Sequence, residues 1–193
     1  MTLRNIASLF ALLAATTAAF AALKAGDVAP AFTAPASFAG KPFTYSLQEG
    51  LAKGPVVVYF YPSAYTSGCN VQAHEFSTKA DRFAAAGASV IGVSLDSIER
   101  LNAFSADPDY CAGKLAVASD GDGKIARSYG LKVSGAIRGA TDTRGKDIDH
   151  GFAERTTFVV KPDGTVLAVV GGVSPEENVA RALELVHKVA PAR

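Results

Sequence analysis

GPVVVYFYPSAYTSGCNVQAHEF, residues 54–76, is the stretch whose reading decides the fold. From Pro55 to Tyr61 it is an unbroken apolar run rich in valine and aromatic residues, the pattern of a central strand buried on both faces. The strand runs into a loop that opens with Pro62 and passes Thr66 and Gly68. The loop delivers Cys69 to a segment, 70–86, in which Val71, Ala73, Phe76, Ala80, Phe83 and Ala84 recur at helical spacing. Cys69 is therefore expected in the first turn of a helix. There, unpaired amide groups and the positive end of the helix dipole favour a thiolate over a thiol. An isolated cysteine is more often a core residue, but the polar, flexible flank Ser67, Gly68 and Asn70 argues for a reactive one.

Outward from this stretch, Gly87 closes the helix and Ser89–Leu95 (SVIGVSL) reads as a second buried strand, which completes a βαβ unit. Ser97 caps a helix that Asp107-Pro108 interrupts ahead of Tyr110 and Cys111. A short strand at 115–118 and a short helix at 124–129 come next, the latter closed by Gly130. Residues 132–154 are rich in Gly, Thr and Asp without a sustained period, and are expected to form a mobile loop, for which a regulatory or docking role is one alternative. Beyond them, RTTFVVK (155–161) and TVLAVV (165–170) flank the turn tripeptide Pro162-Asp163-Gly164 and read as a hairpin. Ser174, Pro175 and Glu177 mark the start of a last helix with the buried stripe Val179, Leu183 and Val186.

Upstream, residues 22–36 read as an extended segment, Gly40-Lys41 as a hairpin turn leading to a strand at 42–45, and Ser46 as the cap of a short helix stopped by Gly54. Residues 1–21 stand apart from the fold. Arg4, an apolar core at 6–15 and Ala19-Phe20-Ala21 have the make-up of a secretory signal peptide cut before Ala22, which would place a Gram-negative host's mature protein in the periplasm. From Ala22 onward the chain has the length of one domain, large enough to fold without disulfides. The formal net charge of +1, with lysines and arginines scattered, implies neither a nucleic-acid partner nor a membrane-surface one. The element order, βαβ, then β and α, then ββα, is that of an α/β thioredoxin-like mixed sheet with helices on both faces.

That fold hosts many chemistries, so the site must decide among them. Disulfide exchange of the thioredoxin kind asks for C-x-x-C, and the residue three after Cys69 is Gln72. The histidines (His74, His150 and His187) are scattered rather than clustered with other ligand types, and no Gly-rich phosphate loop is present.

Pro62, Thr66 and Cys69 match P-x-x-x-T-x-x-C, and through this signature the chain resembles the peroxiredoxins, with CNVQA at 69–73 similar to the PrxQ, or bacterioferritin-comigratory-protein-like, branch. The resemblance extends to KAGDVAPAF (24–32), YFYP (59–62), GVS (92–94), Ser119-Asp120 and RTTF (155–158). It implies a thiol peroxidase in which Cys69 is the peroxidatic cysteine and becomes a sulfenic acid on attacking hydrogen peroxide or an organic hydroperoxide. Thr66 would then orient thiolate and peroxide, Pro62 shield the pocket, and Arg155 hold the thiolate and the departing oxygen. The resemblance further implies a cycle without metal or organic cofactor, recycled by a thioredoxin-like or other thiol reductant. Its PrxQ-like members often carry a resolving cysteine five residues after the peroxidatic one, and here that position is His74. Cys111 is the remaining candidate, for a disulfide within the chain; a buried structural role or pairing between subunits are the alternatives. Against the peroxidase stand a thiol-disulfide exchange protein and a non-catalytic scaffold binding a partner through 132–154.

Overall fold

The computed structural model describes residues 22–189. The signal-peptide reading of residues 1–21 lies outside them. Seven strands form one mixed sheet: β1 (Thr33–Phe38), β2 (Lys41–Ser46), β3 (Val56–Phe60), β4 (Ser89–Ser94), β5 (Ala116–Ser119), β6 (Thr156–Val160) and β7 (Val166–Gly171). Their order across the sheet is β2-β1-β5-β4-β3-β6-β7. The helices are α1 (Leu47–Leu51), α2 (Ser67–Thr78), α3 (Ala80–Ala85), α4 (Ile98–Ala106), α5 (Lys124–Ser128) and α6 (Pro175–Val189).

The apolar run at 55–61 contains β3, and all five residues of the strand are buried. Successive side chains point to opposite faces of a sheet. Val57 and Tyr59 accordingly join one core with Cys69, Phe76, Leu101, Phe104, Val179 and Leu183, from α2, α4 and α6. Val56, Val58 and Phe60 join a second core with Leu47, Leu51, Ala126 and Tyr129, on the side of α1 and α5. Helices thus cover both faces, which gives the α/β thioredoxin-like architecture read from the element order.

Two ladders fix what reaches the end of β3. It pairs in parallel with β4 from Val56↔Ser89 to Phe60↔Val93. On its other edge it pairs antiparallel with β6, from Val56↔Val160 to Phe60↔Thr156. The last residue of β3 therefore lies beside the first of β6, and the loop leaving β3 starts next to Arg155.

Several boundaries differ from the sequence reading. The single helix expected over 70–86 is two, because the backbone at Lys79 leaves helical geometry (φ −101°, ψ 6°). Phe83 lies in the core, Ala84 is exposed, and Val71, counted in the apolar stripe, faces solvent. The N-terminal hairpin turns one residue earlier than expected, at Ala39-Gly40 (φ 50° and 76°). The extended segment before it ends in β1, which carries the hairpin into the sheet by pairing with β5. The capping expectations hold: Ser46, Ser97 and Ser174 each accept a backbone N–H three residues on.

Gly92 shows how tightly the first core is filled. It faces Tyr59 across the β3–β4 ladder, and a Cβ there would fall 2.5 Å from the Tyr59 ring. Gly92→Ala is expected to destabilise the protein by about 1–3 kcal/mol, as overpacking of a fixed core does. Urea unfolding of wild type and variant measures the difference.

Candidate active site

Cys69 is the third residue of α2, and its backbone N–H donates to the Thr66 carbonyl (3.0 Å). The helix starts here because Thr66, in extended geometry, serves as its N-cap, and its carbonyl also accepts from Asn70 (2.8 Å). The Thr66 hydroxyl does not cap the helix; it donates to the Ser63 carbonyl at 2.8 Å. With its proton committed, that oxygen has lone pairs left to accept from a hydroperoxide O–H. Pro62 is half-buried at the end of β3.

Cys69 is only 2% exposed, yet it meets a cation. Arg155 donates from Nη2 to Cys69 Sγ at 3.3 Å, and from Nη1 to Gln72 Oε1. The structure thus brings Arg155 and Thr66, two of the residues the sequence singles out, to Cys69, while Pro62 opens the loop that leads to it. A guanidinium with one arm on sulfur can hold a thiolate, then stay bonded as negative charge moves onto a departing oxygen. Gly68 makes the approach possible, because a Cβ there would lie 3.1 Å from Arg155 Nη2.

Sequence reasoning missed what stands behind Arg155. Gln72 is fully buried, and its Nε2 donates to Asn178 Oδ1 at 3.0 Å. Asn178, on α6, also accepts from the Thr157 hydroxyl (2.6 Å) and donates to the Val170 carbonyl (3.1 Å). The signal was present in α6, where Asn178 precedes Ala182 by four residues and so shares its buried face.

The segment 132–154, read as mobile, is fastened to the loop between β3 and α2. Thr143 donates to the Tyr65 carbonyl from both its N–H (3.0 Å) and its hydroxyl (2.8 Å). The Arg144 guanidinium stacks 3.1 Å from the centre of the Tyr65 ring and pairs with Asp142. Tyr65 has φ 64°, a left-handed conformation that costs a residue other than glycine about 1–2 kcal/mol. Its neighbours hold it there.

Beneath the same loop lies a buried carboxylate, Asp96. It accepts from Ala64 N–H (2.7 Å), the Ser63 hydroxyl (2.8 Å), the Ser94 hydroxyl (2.7 Å) and His150 Nε2 (2.9 Å). Arg100 Nε stands 3.0 Å away, while its Nη2 reaches both the Ala64 carbonyl (2.9 Å) and Asp142 (2.8 Å). Burial raises the Asp96 pKa, but the bonds from His150, Ala64 and Ser94 outweigh it and leave the group below its usual value. Burial likewise opposes the charge on Asp142, and the bonds from Arg144 and Lys146 bring it down to about 2. His150 meets an acceptor at both nitrogens, Asp96 at Nε2 and the Gly151 carbonyl at Nδ1 (2.7 Å), which suits the imidazolium. Burial lowers its pKa, and those two bonds raise it by more.

Cys111 sits in the turn after α4, fully buried in the same core as Cys69, and both are free thiols. Burial, with Asp107 adding to it, pushes the Cys111 thiol well up. Two bonds tie α2 to this turn: His74 Nδ1 to the Asp109 carbonyl (3.0 Å) and the Ser77 hydroxyl to the Tyr110 carbonyl (2.7 Å). His74 is exposed, as expected of a solvated helix residue, but it is not idle.

The sequence matches the AhpC/TSA family over residues 25–169. The chain belongs to that family. Among relatives, it is 33% identical to peroxiredoxin Bcp of Escherichia coli K12 over 144 residues, covering 75% of this chain and 83% of that protein. Its fold superposes on peroxidoxin BcpB from Mycobacterium tuberculosis with a TM-score of 0.71 at 29% identity, covering 86% of this chain and 98% of that one. A Xanthomonas campestris bacterioferritin comigratory protein, whose structure was studied for alkyl peroxide reduction, superposes with a TM-score of 0.63 at 27% identity, covering 81% and 91%. The PrxQ-like resemblance is thereby shown, and with it the function of a thiol peroxidase of the peroxiredoxin kind.

Two measurements probe this peroxiredoxin's site. Gly68→Ala should leave stability unchanged or slightly raised, since alanine suits a helix better, while peroxide turnover falls about threefold or more because Arg155 is displaced. Stopped-flow turnover and thermal melting separate the two effects. For His150, a pKa raised in the folded state makes a contribution to stability that is complete below the unfolded value of about 6.5 and is lost as pH rises through the folded one. The stability gap between wild type and His150→Gln should therefore be widest at acidic pH and narrow as pH rises, as urea midpoints from pH 6 to 9 would record.

Proposed function

We propose that Cys69 is the peroxidatic sulfur of this enzyme, that Cys111 resolves it within the same chain, and that an external thiol reductant restores the pair. The observation that carries the reading is Arg155 Nη2 at 3.3 Å from Cys69 Sγ, in the first turn of α2. The thiolate attacks one peroxide oxygen, an S–O bond forms as the O–O bond breaks, and the displaced hydroxide or alkoxide leaves as water or alcohol after taking a proton. Arg155 follows the charge from sulfur to oxygen. Thr66 accepts the peroxide O–H and so aims it, and Pro62 closes the wall beside the sulfur. No metal or organic cofactor enters the cycle.

Resolution forms an S–S bond between Cys111 and the Cys69 sulfenic acid and releases water. A dithiol reductant of the thioredoxin kind then reduces the disulfide by exchange. Burial of Cys111 and its raised pKa mean that the turn carrying it must open first, releasing the bonds from His74 and Ser77. Hydrogen peroxide and organic hydroperoxides are the substrate class, in keeping with the alkyl peroxide reduction activity of the Xanthomonas relative. Gln72 occupies the place of a disulfide exchanger's second thiol and is engaged with Arg155, which weighs against exchange as the main activity. The make-up of residues 1–21 supports export across the inner membrane to the periplasm. Among the described residues no helix is long and apolar enough to cross a membrane.

The test is the intact mass of reduced protein after one equivalent of hydrogen peroxide, quenched within seconds, for wild type, Cys69→Ser and Cys111→Ser. Wild type should lose about 2 Da, Cys111→Ser gain about 16 Da, and Cys69→Ser stay unchanged. A wild-type gain of about 16 Da would overturn resolution by Cys111 and leave peroxidation at Cys69 standing. A rapid change that survives in Cys69→Ser would overturn the assignment of the reacting sulfur.

A further inference from the structure

We propose that Asn178, contributed by the C-terminal helix α6, is a positioning residue that fixes which end of the Gln72 amide faces Arg155 and thereby aims the guanidinium at Cys69. The proposal rests on Cys69 as the reacting sulfur. Its basis is the direction of four hydrogen bonds in a region where Gln72, Thr157 and Asn178 are all fully buried.

The row of bonds has an unambiguous group at each end. At one end the Val170 carbonyl can only accept, so the Asn178 group 3.1 Å from it is the NH2. The Oδ1 of Asn178 then points the other way. It accepts from the Thr157 hydroxyl at 2.6 Å and from Gln72 Nε2 at 3.0 Å. With its NH2 used in this way, Gln72 has only its oxygen to present to the far end, where the Arg155 guanidinium can only donate. Turning either amide over would set donor against donor at a buried contact. The orientation of Gln72 is thus dictated by a backbone carbonyl of β7 through Asn178.

Charge gives the row its purpose. Gln72 supplies Arg155 with an acceptor but no negative charge, so the guanidinium keeps its full charge for the sulfur on its other arm. A carboxylate at position 72 would satisfy the same donor and compete with the thiolate for the cation. Arg155 asks for the oxygen of that amide, and Asn178, by accepting from its NH2, holds the amide in that orientation.

The experiment reads the rate of iodoacetamide alkylation at Cys69, located by peptide mass, as a function of pH, together with kcat/KM for hydrogen peroxide. Asn178→Leu should lower alkylation at pH 7 by about tenfold, move its pH profile upward and lower kcat/KM in parallel. Asn178→Ala, which removes the amide without adding bulk, should move all three readouts the same way, and it carries the test if Asn178→Leu does not fold. Gln72→Glu should also slow alkylation. Leu183→Ala on the same helix should lower the melting temperature yet leave the alkylation profile within about twofold, because cavity formation alone does not reorient Arg155.

A double-mutant cycle separates positioning from general damage. Once Gln72→Leu has removed the amide, adding Asn178→Leu should slow alkylation no further. Additive losses would overturn the proposal, as would a folded Asn178→Leu or Asn178→Ala protein with an unshifted alkylation profile. If the alkylation profiles move as expected while wild type turns over no peroxide, the positioning role stands and the assignment of Cys69 as peroxidatic sulfur fails.

Discussion

The antiparallel register between β3 and β6 is the constraint on which the site depends. Phe60↔Thr156 is its last pair, so the loop to Cys69 leaves one strand where Arg155 enters the next. Backbone ladders hold neighbouring strands about 4.8 Å apart. That spacing lets a guanidinium reach the first turn of the next helix without a long or flexible tether. A slip of one residue would turn Arg155 to the other face of the sheet and part the cation from the sulfur. The alternating apolar residues of β6, which feed two separate cores, make such a slip expensive: Phe158 and Val159 would exchange environments.

Around this register the protein adds polar parts in two directions. Behind Arg155, Gln72, Asn178 and Thr157 tie α2, α6, β6 and β7 into one buried row. In front, Asp96 gathers Ser63, Ala64 and His150, and Thr143 and Arg144 hold Tyr65 in its left-handed conformation. The first row contains no titrating group except Arg155, which remains charged at any ordinary pH. The second is rich in them.

Much of this was legible in the sequence where a local rule applies. The β3 run, the serine caps of α1, α4 and α6, and the Pro162-Asp163-Gly164 turn each rest on neighbours within a few residues, and each stands where it was expected. The family resemblance, rather than a local rule, pointed to Pro62, Thr66, Cys69 and Arg155. What was not legible depends on distant partners. The break at Lys79 has no proline or glycine to announce it. Asp96 comes after a strand as an ordinary loop residue would, and only the folded chain brings His150 to it. Segment 132–154 has no period because its order comes from bonds to another loop rather than from a repeat of its own. Gln72 could be read as a missing cysteine but not as a buried amide with a partner on α6.

The fastening of Tyr65 also concerns heat. The strained conformation is maintained by Thr143 and Arg144, both at the surface and outside either apolar core. Exposed polar contacts of this kind yield to thermal motion before packed cores do. The loop that begins at Pro62 and ends at Cys69 can therefore lose its shape while the sheet remains intact. Heat is then expected to stop the reaction at a lower temperature than it melts the sheet, the two limits being set by different parts of the sequence.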